Sequence, residues 1–189
     1  MFRLLTLIIR VIQIKKNINW LFFEPIPIAP LVTFRILFGA LMAFGAVRFV
    51  LNGWIEKLYV EPVFFFKFYG FGWVEVLSEG GMYMLLSVII VSAIGISLGL
   101  FYRLSSLTFF FSFTYLELID ATNYLNHYYL VCLFAFLLIF LPAHHNFSLD
   151  CWRKPSLKCT HVPAWTIRIL IFQLILVYTF AGLAKLNSD

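Results

Sequence analysis

The sequence is poor in charge. Lysine, arginine, aspartate and glutamate make up 12% of its 189 residues, about half the share of a soluble globular chain. Cysteine is also scarce: Cys132, Cys151 and Cys159 are the three present. Cys132 sits within an apolar run and reads as packing. Cys151 and Cys159 flank a basic loop, with His144, His145 and His161 nearby. Their spacing fits no zinc pattern, so neither a disulfide nor a metal is expected. Basic residues are scattered singly and nowhere interleave with exposed aromatics. The net charge of +5 therefore points to no nucleic-acid partner. The opening stretch, MFRLLTLIIRVIQIKKN, is broken by Arg10 and followed by no small-residue cleavage site, which argues against a cleavable signal peptide. Internal repeats and low-complexity tracts are absent as well.

What fills the chain is apolar. Hydrophobic residues reach 62%, with 23 phenylalanines, and the mean hydropathy is +0.94. Such values place it among integral membrane proteins. Five segments approach the ~20 residues needed to cross the hydrocarbon layer. They lie at about 30–51, 82–102, 104–119, 128–142 and 165–185, the third and fourth being short. Ser92, Gly95, Ser97 and Gly99 in the second segment permit close helix approach. Before the first segment, Arg3, Thr6, Arg10, Gln13 and Asn17 recur alternately three and four apart, one stripe of a helix. The expected architecture is all-α: a bundle of about five transmembrane helices over 26–189, preceded by an amphipathic interfacial helix over 1–25. The loop of about thirty residues between the first two spans is aromatic, glycine-punctuated and mixed in charge. It is expected to fold back onto the bundle at the interface.

Five spans put Arg3, Arg10, Lys15, Lys16, Arg103, Arg153, Lys154 and Lys158 on one face. The positive-inside rule then makes that face cytoplasmic, with the N-terminus inside and Lys185 outside. The turn ELIDATNYLNHYYL, residues 117–130, shares the outer face with Lys185. Asp120, Asn123, Asn126 and His127 could meet the end of the last helix there. A lysine at a span end ordinarily snorkels to the interface. In an apolar pocket it becomes a general base. His127 is either a surface group or an aid to substrate orientation. Glu117 and Asp120, three apart, read as a solvated helix end. Arg35, a few residues into the first span, is expected to snorkel to the cytoplasmic face, with a role as an internal charge partner the close alternative.

Several stretches resemble the vitamin K-dependent γ-glutamyl carboxylases and their bacterial relatives, the horizontally transferred transmembrane (HTTM) domain proteins. They are LGLFYRLSSL (98–107), LIDATNYLNHYYL (118–130), HHNFSLD (144–150) and QLILVYTFAGLAKLNSD (173–189). Arg35 in TFRILFG and the loop around FKFYGFGWV fit too, and the likeness runs from about residue 30 to the end. The resemblance implies a carbon–carbon lyase in which Lys185 deprotonates reduced vitamin K or a related hydroquinone. O2 then adds, an epoxide forms, and CO2 captures a peptide glutamate carbanion. His127 assists the carboxylation half, with Asn126 beside it. Asp120, Tyr178 and Arg103 are the further candidates for substrate contact. No metal is implied; membrane lipid, the quinol and a glutamate-containing peptide or protein are the implied partners. The implied location is a bacterial inner membrane. Family enzymes continue past this lysine, so the chain is expected to be truncated, lacking the extramembrane region that engages substrate protein. The competing expectation is a non-catalytic helical module that binds a lipid, quinone or partner protein, with Lys185 as an anchor. A transporter is a weaker third, since no matched halves with broken helices are visible.

Overall fold

A computed structural model describes residues 22–186. The predicted amphipathic helix falls almost entirely outside them. Two compact units divide the chain, residues 1–31 with 159–189 and residues 32–158.

In the first unit, β1 (Pro25–Pro27) pairs antiparallel with β2 (His161–Pro163), in the register Pro25↔Pro163, Ile26↔Val162, Pro27↔His161. Proline offers no backbone N–H, which confines it to edges of this kind. The Ile28 and Ala164 amides extend the ribbon, donating to Thr160 and Glu24 carbonyls at 3.0 and 2.9 Å. The last helix of the fold, α6 (Trp165–Leu186), then begins.

The second unit holds most of helix α1 (Ala29–Leu51) with α2 (Glu79–Leu98), α3 (Tyr102–Leu118) and α4 (Asn126–Phe140). Pro30 sits in the first turn of α1, where a missing N–H costs nothing. Ser78 caps α2, its hydroxyl accepting from the Gly81 amide at 3.3 Å. Gly99 ends α2 with φ +64°, and the Leu100 amide reaches back to the Gly95 carbonyl at 2.9 Å. The cap of α3 comes from far along the chain. Asp150, on the short helix α5 (Leu149–Arg153), accepts from the Phe101 and Tyr102 amides at 3.0 and 2.9 Å. A carboxylate at a helix N-terminus satisfies orphan donors and opposes the dipole.

On α2, Met82, Leu86, Ile89, Ala93 and Ile96 are buried. Their spacing of four and three makes one stripe, and α2 packs against α3 and α3 against α4. Rings close the core: Phe38 meets Phe109 edge-on at 5.7 Å, and Phe34 meets Phe134 at 5.2 Å. At the heart of the unit the Tyr102 hydroxyl donates to the Leu138 carbonyl at 2.7 Å. The glycines and serines of α2 serve as anticipated. Gly39 of α1 lies against the Ala93–Ser97 backbone, and the Ser97 hydroxyl donates to the Ile36 carbonyl at 3.1 Å.

Among the described residues, Ala29–Leu51, Glu79–Leu98 and Trp165–Lys185 are long and apolar enough to cross a membrane. Of the other two main helices, α4 is a shorter apolar helix of 15 residues, while α3, with 17, overlaps the third predicted span in position only. The aromatic loop does fold back. The Ala121 amide donates to the Phe66 carbonyl at 2.7 Å, and Tyr115 donates to the Glu75 carbonyl at 2.8 Å. Lys67 Nζ donates to the Val74 and Ile119 carbonyls at 2.5 and 3.3 Å.

Arg35 corrects its expectation. It does not snorkel; it is 0% exposed. Its Nη2 donates to the Phe147 carbonyl at 2.5 Å, while Nε and Nη1 meet no partner. Only glycine fits beside it at position 99, where a Cβ would fall 1.9 Å from Nη1.

Candidate functional site

A cavity of about 820 Å³ opens in the second unit. Leu41, Phe49, Leu86, Ile89, Phe113 and Val131 give it apolar walls. Polar side chains come from the ends of α1, α3 and α4 and from the loops joining them: Arg48, Lys57, Glu117, Asp120, Asn123 and His127. An apolar enclosure with a few convergent polar groups is the usual form of a small-molecule site.

Each polar group is placed by its element. Asp120 follows α3 and is buried. Its Oδ1 accepts from the Phe66 and Thr122 amides at 3.2 and 3.0 Å, and its Oδ2 from the Thr122 hydroxyl at 2.8 Å. Asp120 therefore organises the turn and ties the aromatic loop to it. His127, in the first turn of α4, is exposed and lies at the cavity rim, its ring 4.4 Å from that of Tyr128. Asn126, its neighbour, is exposed and does not line the cavity. Tyr59 lines the wall, and burial pushes its phenol well above the usual range, which leaves a neutral hydroxyl. Arg48 lies over the Trp54 ring at 5.3 Å.

Of the residues singled out in the sequence, Glu117, Asp120, Asn123 and His127 meet around this cavity. Arg103 does not. It stands at the opposite end of α3, about 20 Å away at 1.5 Å per residue. There it lines a separate cleft with His144 and Asp150. Lys185 and Tyr178 belong to the first unit, both exposed on α6. Seven residues apart, they share one helix face. Arg48, Lys57 and Tyr59 were missed. A single cation near the end of an apolar run, such as Arg48, carries no local signal of a site, and the aromatic loop gave no sign of which residues would turn inward.

The second cleft contains the one strongly perturbed imidazole. Burial pushes His144 down to about 4, with His145 and then Arg103 adding to the shift. Its ring stacks on Tyr102 at 4.8 Å. The unfolded chain binds the His144 proton near 6.5, so it holds more protons than the fold between those two values. Stability is then full above pH 6.5, falls as the pH drops toward 4 and levels off below. His144→Gln is expected to flatten that slope. Thermal melts of both proteins from about pH 7.5 to about pH 4 check it, and parallel curves would refute it.

The fold and this cavity define a helical integral membrane protein with an amphipathic interior site. Residues 23–189 match the HTTM domain family, and the chain belongs to it. No solved structure matches the chain.

Proposed function

We propose that this chain is a vitamin K-dependent γ-carboxylase-like membrane enzyme that oxidises a reduced quinone to its epoxide. The observation that carries the reading is the cavity beside His127. A hydroquinone is a flat apolar ring with two hydroxyls. Phenylalanine and leucine walls suit the ring, and Glu117 and Asn123 suit the hydroxyls. The resemblance to the carboxylases, not the cavity, makes Lys185 the base for quinol deprotonation, and exclusion of water protects the strong base formed as the epoxide is made. O2 is the oxidant. In the coupled half-reaction that base removes a γ-proton from a peptide glutamate, CO2 adds to the carbanion, and His127 assists. Lys185 works on the non-cytoplasmic side of a bacterial plasma membrane, as the charge distribution supports.

Gly45 gives a direct test. It lines the cavity, and a side chain's first carbon there would meet nothing within 4 Å. Gly45→Phe therefore adds a ring at the cavity wall, its Cβ clear of neighbouring atoms. The purified protein in detergent, given reduced vitamin K and oxygen, is expected to form epoxide. Gly45→Phe is expected to melt like the wild type and to lose quinol binding and turnover by at least about tenfold. Equal binding and turnover by a well-folded Gly45→Phe would sink the assignment of this cavity.

A further inference from the structure

The chain reverses between α2 and α3 through Gly99–Phe101. A cleft of about 310 Å³ lies at that reversal. Arg103, Arg153 and Lys154 line it against a single acid, Asp150. Both Asp150 oxygens are already engaged by the Phe101 and Tyr102 amides. Arg153 Nη1 is 3.8 Å from Asp150, and its guanidinium lies 4.3 Å over the Phe101 ring. Arg103 and Lys154 are exposed and have no ion-pair partner among the described residues. His144, nine-tenths buried in the wall of the cleft, has an Nδ1 without a hydrogen-bond partner. Arg35, buried beside Gly99 at the same reversal though not in the cleft wall, has two nitrogens without a partner. The surplus of positive charge here calls for an anion with several acceptor oxygens.

The surroundings say which kind. Leu104, Leu107 and Phe111 are exposed on α3, spaced three and four apart below the cleft. A soluble phosphate has no use for that stripe; acyl chains do. On the flanking helix α5, Trp152 is exposed, as befits a ring at headgroup level.

We propose that this cleft holds the phosphate of an anionic phospholipid, with Arg103, Arg153 and Lys154 around the headgroup and acyl chains along Leu104, Leu107 and Phe111. The site is separate from the quinol cavity and does not depend on the enzymatic reading.

Binding of short-chain phosphatidylglycerol to the purified full chain in neutral detergent, followed by native mass spectrometry, is the test. Phosphatidylcholine and inorganic phosphate are the comparison ligands. Each juxtamembrane cation contributes about fivefold in affinity, so the double variant Arg103→Gln/Lys154→Gln is expected to bind phosphatidylglycerol roughly 25-fold more weakly. Lys158→Gln, exposed nearby but outside the cleft, is expected to bind as the wild type does. Undiminished binding by the double variant would overturn the proposal. So would an equal loss in Lys158→Gln, which would mean diffuse attraction. Displacement of the lipid by inorganic phosphate at matching concentration would assign the cleft to soluble phosphate and overturn the lipid source.

Discussion

Lys185→Ala is expected to lower quinone epoxidation by about 10²–10⁴-fold, the usual contribution of a positioned base, while quinol binding stays within a few-fold of the wild type. The alternative role for this residue is an anchor at the end of an apolar helix, and Lys185→Arg separates the two. Arginine keeps the positive charge and snorkels as lysine does, but its guanidinium holds its proton and cannot serve as a base. If Lys185 is the base, both variants are inactive and both stay folded in the membrane fraction. If it is an anchor, arginine restores whatever alanine removed. His127→Ala gives the complementary result. With His127 acting in carboxylation, epoxide formation is expected to survive while transfer of CO2 to a glutamate peptide falls. An active Lys185→Arg enzyme would end the base assignment.

The helices were legible because each is an apolar run bounded by local signals. The fifth predicted span, 165–185, and α6 agree to one residue. The second was read as running on to Tyr102, since the sequence stays apolar through Phe101. The helix stops at Leu98 because Gly99 adopts the left-handed conformation and closes the turn. The polar turn of 117–130 was legible only in part. Asp120, Asn123 and His127 stand out in the sequence and do meet at one cavity, but Glu117 and Asp120, read as a solvated helix end, line it with Asp120 buried, and Asn126 stays outside.

What sequence could not show is long-range. Asp150 caps a helix that begins 48 residues earlier, and no local pattern announces it. The Pro25–Pro27 and His161–Pro163 pairing joins two short proline-bearing segments from distant parts of the chain. Arg35 was misread because a cation near a span end normally finds water. Its burial depends on the Phe147 carbonyl, which the HHNFSLD stretch delivers from 112 residues away. The same stretch carries Ser148 and Asp150, so one segment caps α5, caps α3 and receives Arg35. Its likeness to the family therefore has a structural reason apart from any chemistry.

Two glycines six residues apart on α1 should respond in opposite ways to the same substitution. At Gly39 a Cβ would lie 2.5 Å from the Ser97 nitrogen, 2.6 Å from the Ala93 carbonyl oxygen and 2.8 Å from the Ser97 Cα. All three are backbone atoms, so no side chain can rotate away. Gly39→Ala must push α1 off α2, which stretches the bond from Ser97 to the Ile36 carbonyl and loosens the Phe38–Phe109 contact. Alanine gains up to about 1 kcal/mol of helix propensity over glycine. Overpacking of this kind costs about 1–3 kcal/mol or more, and with rigid backbone on the far side the upper part of that range applies. The net expectation is a loss of about 1–2 kcal/mol, and a larger loss for Gly39→Val. At Gly45 the space is open, so Gly45→Ala keeps the propensity gain and raises the melting temperature. Thermal melts in one detergent read both signs. A Gly39→Ala protein as stable as the Gly45→Ala protein would mean that α1 and α2 do not cross at Gly39 as closely as described.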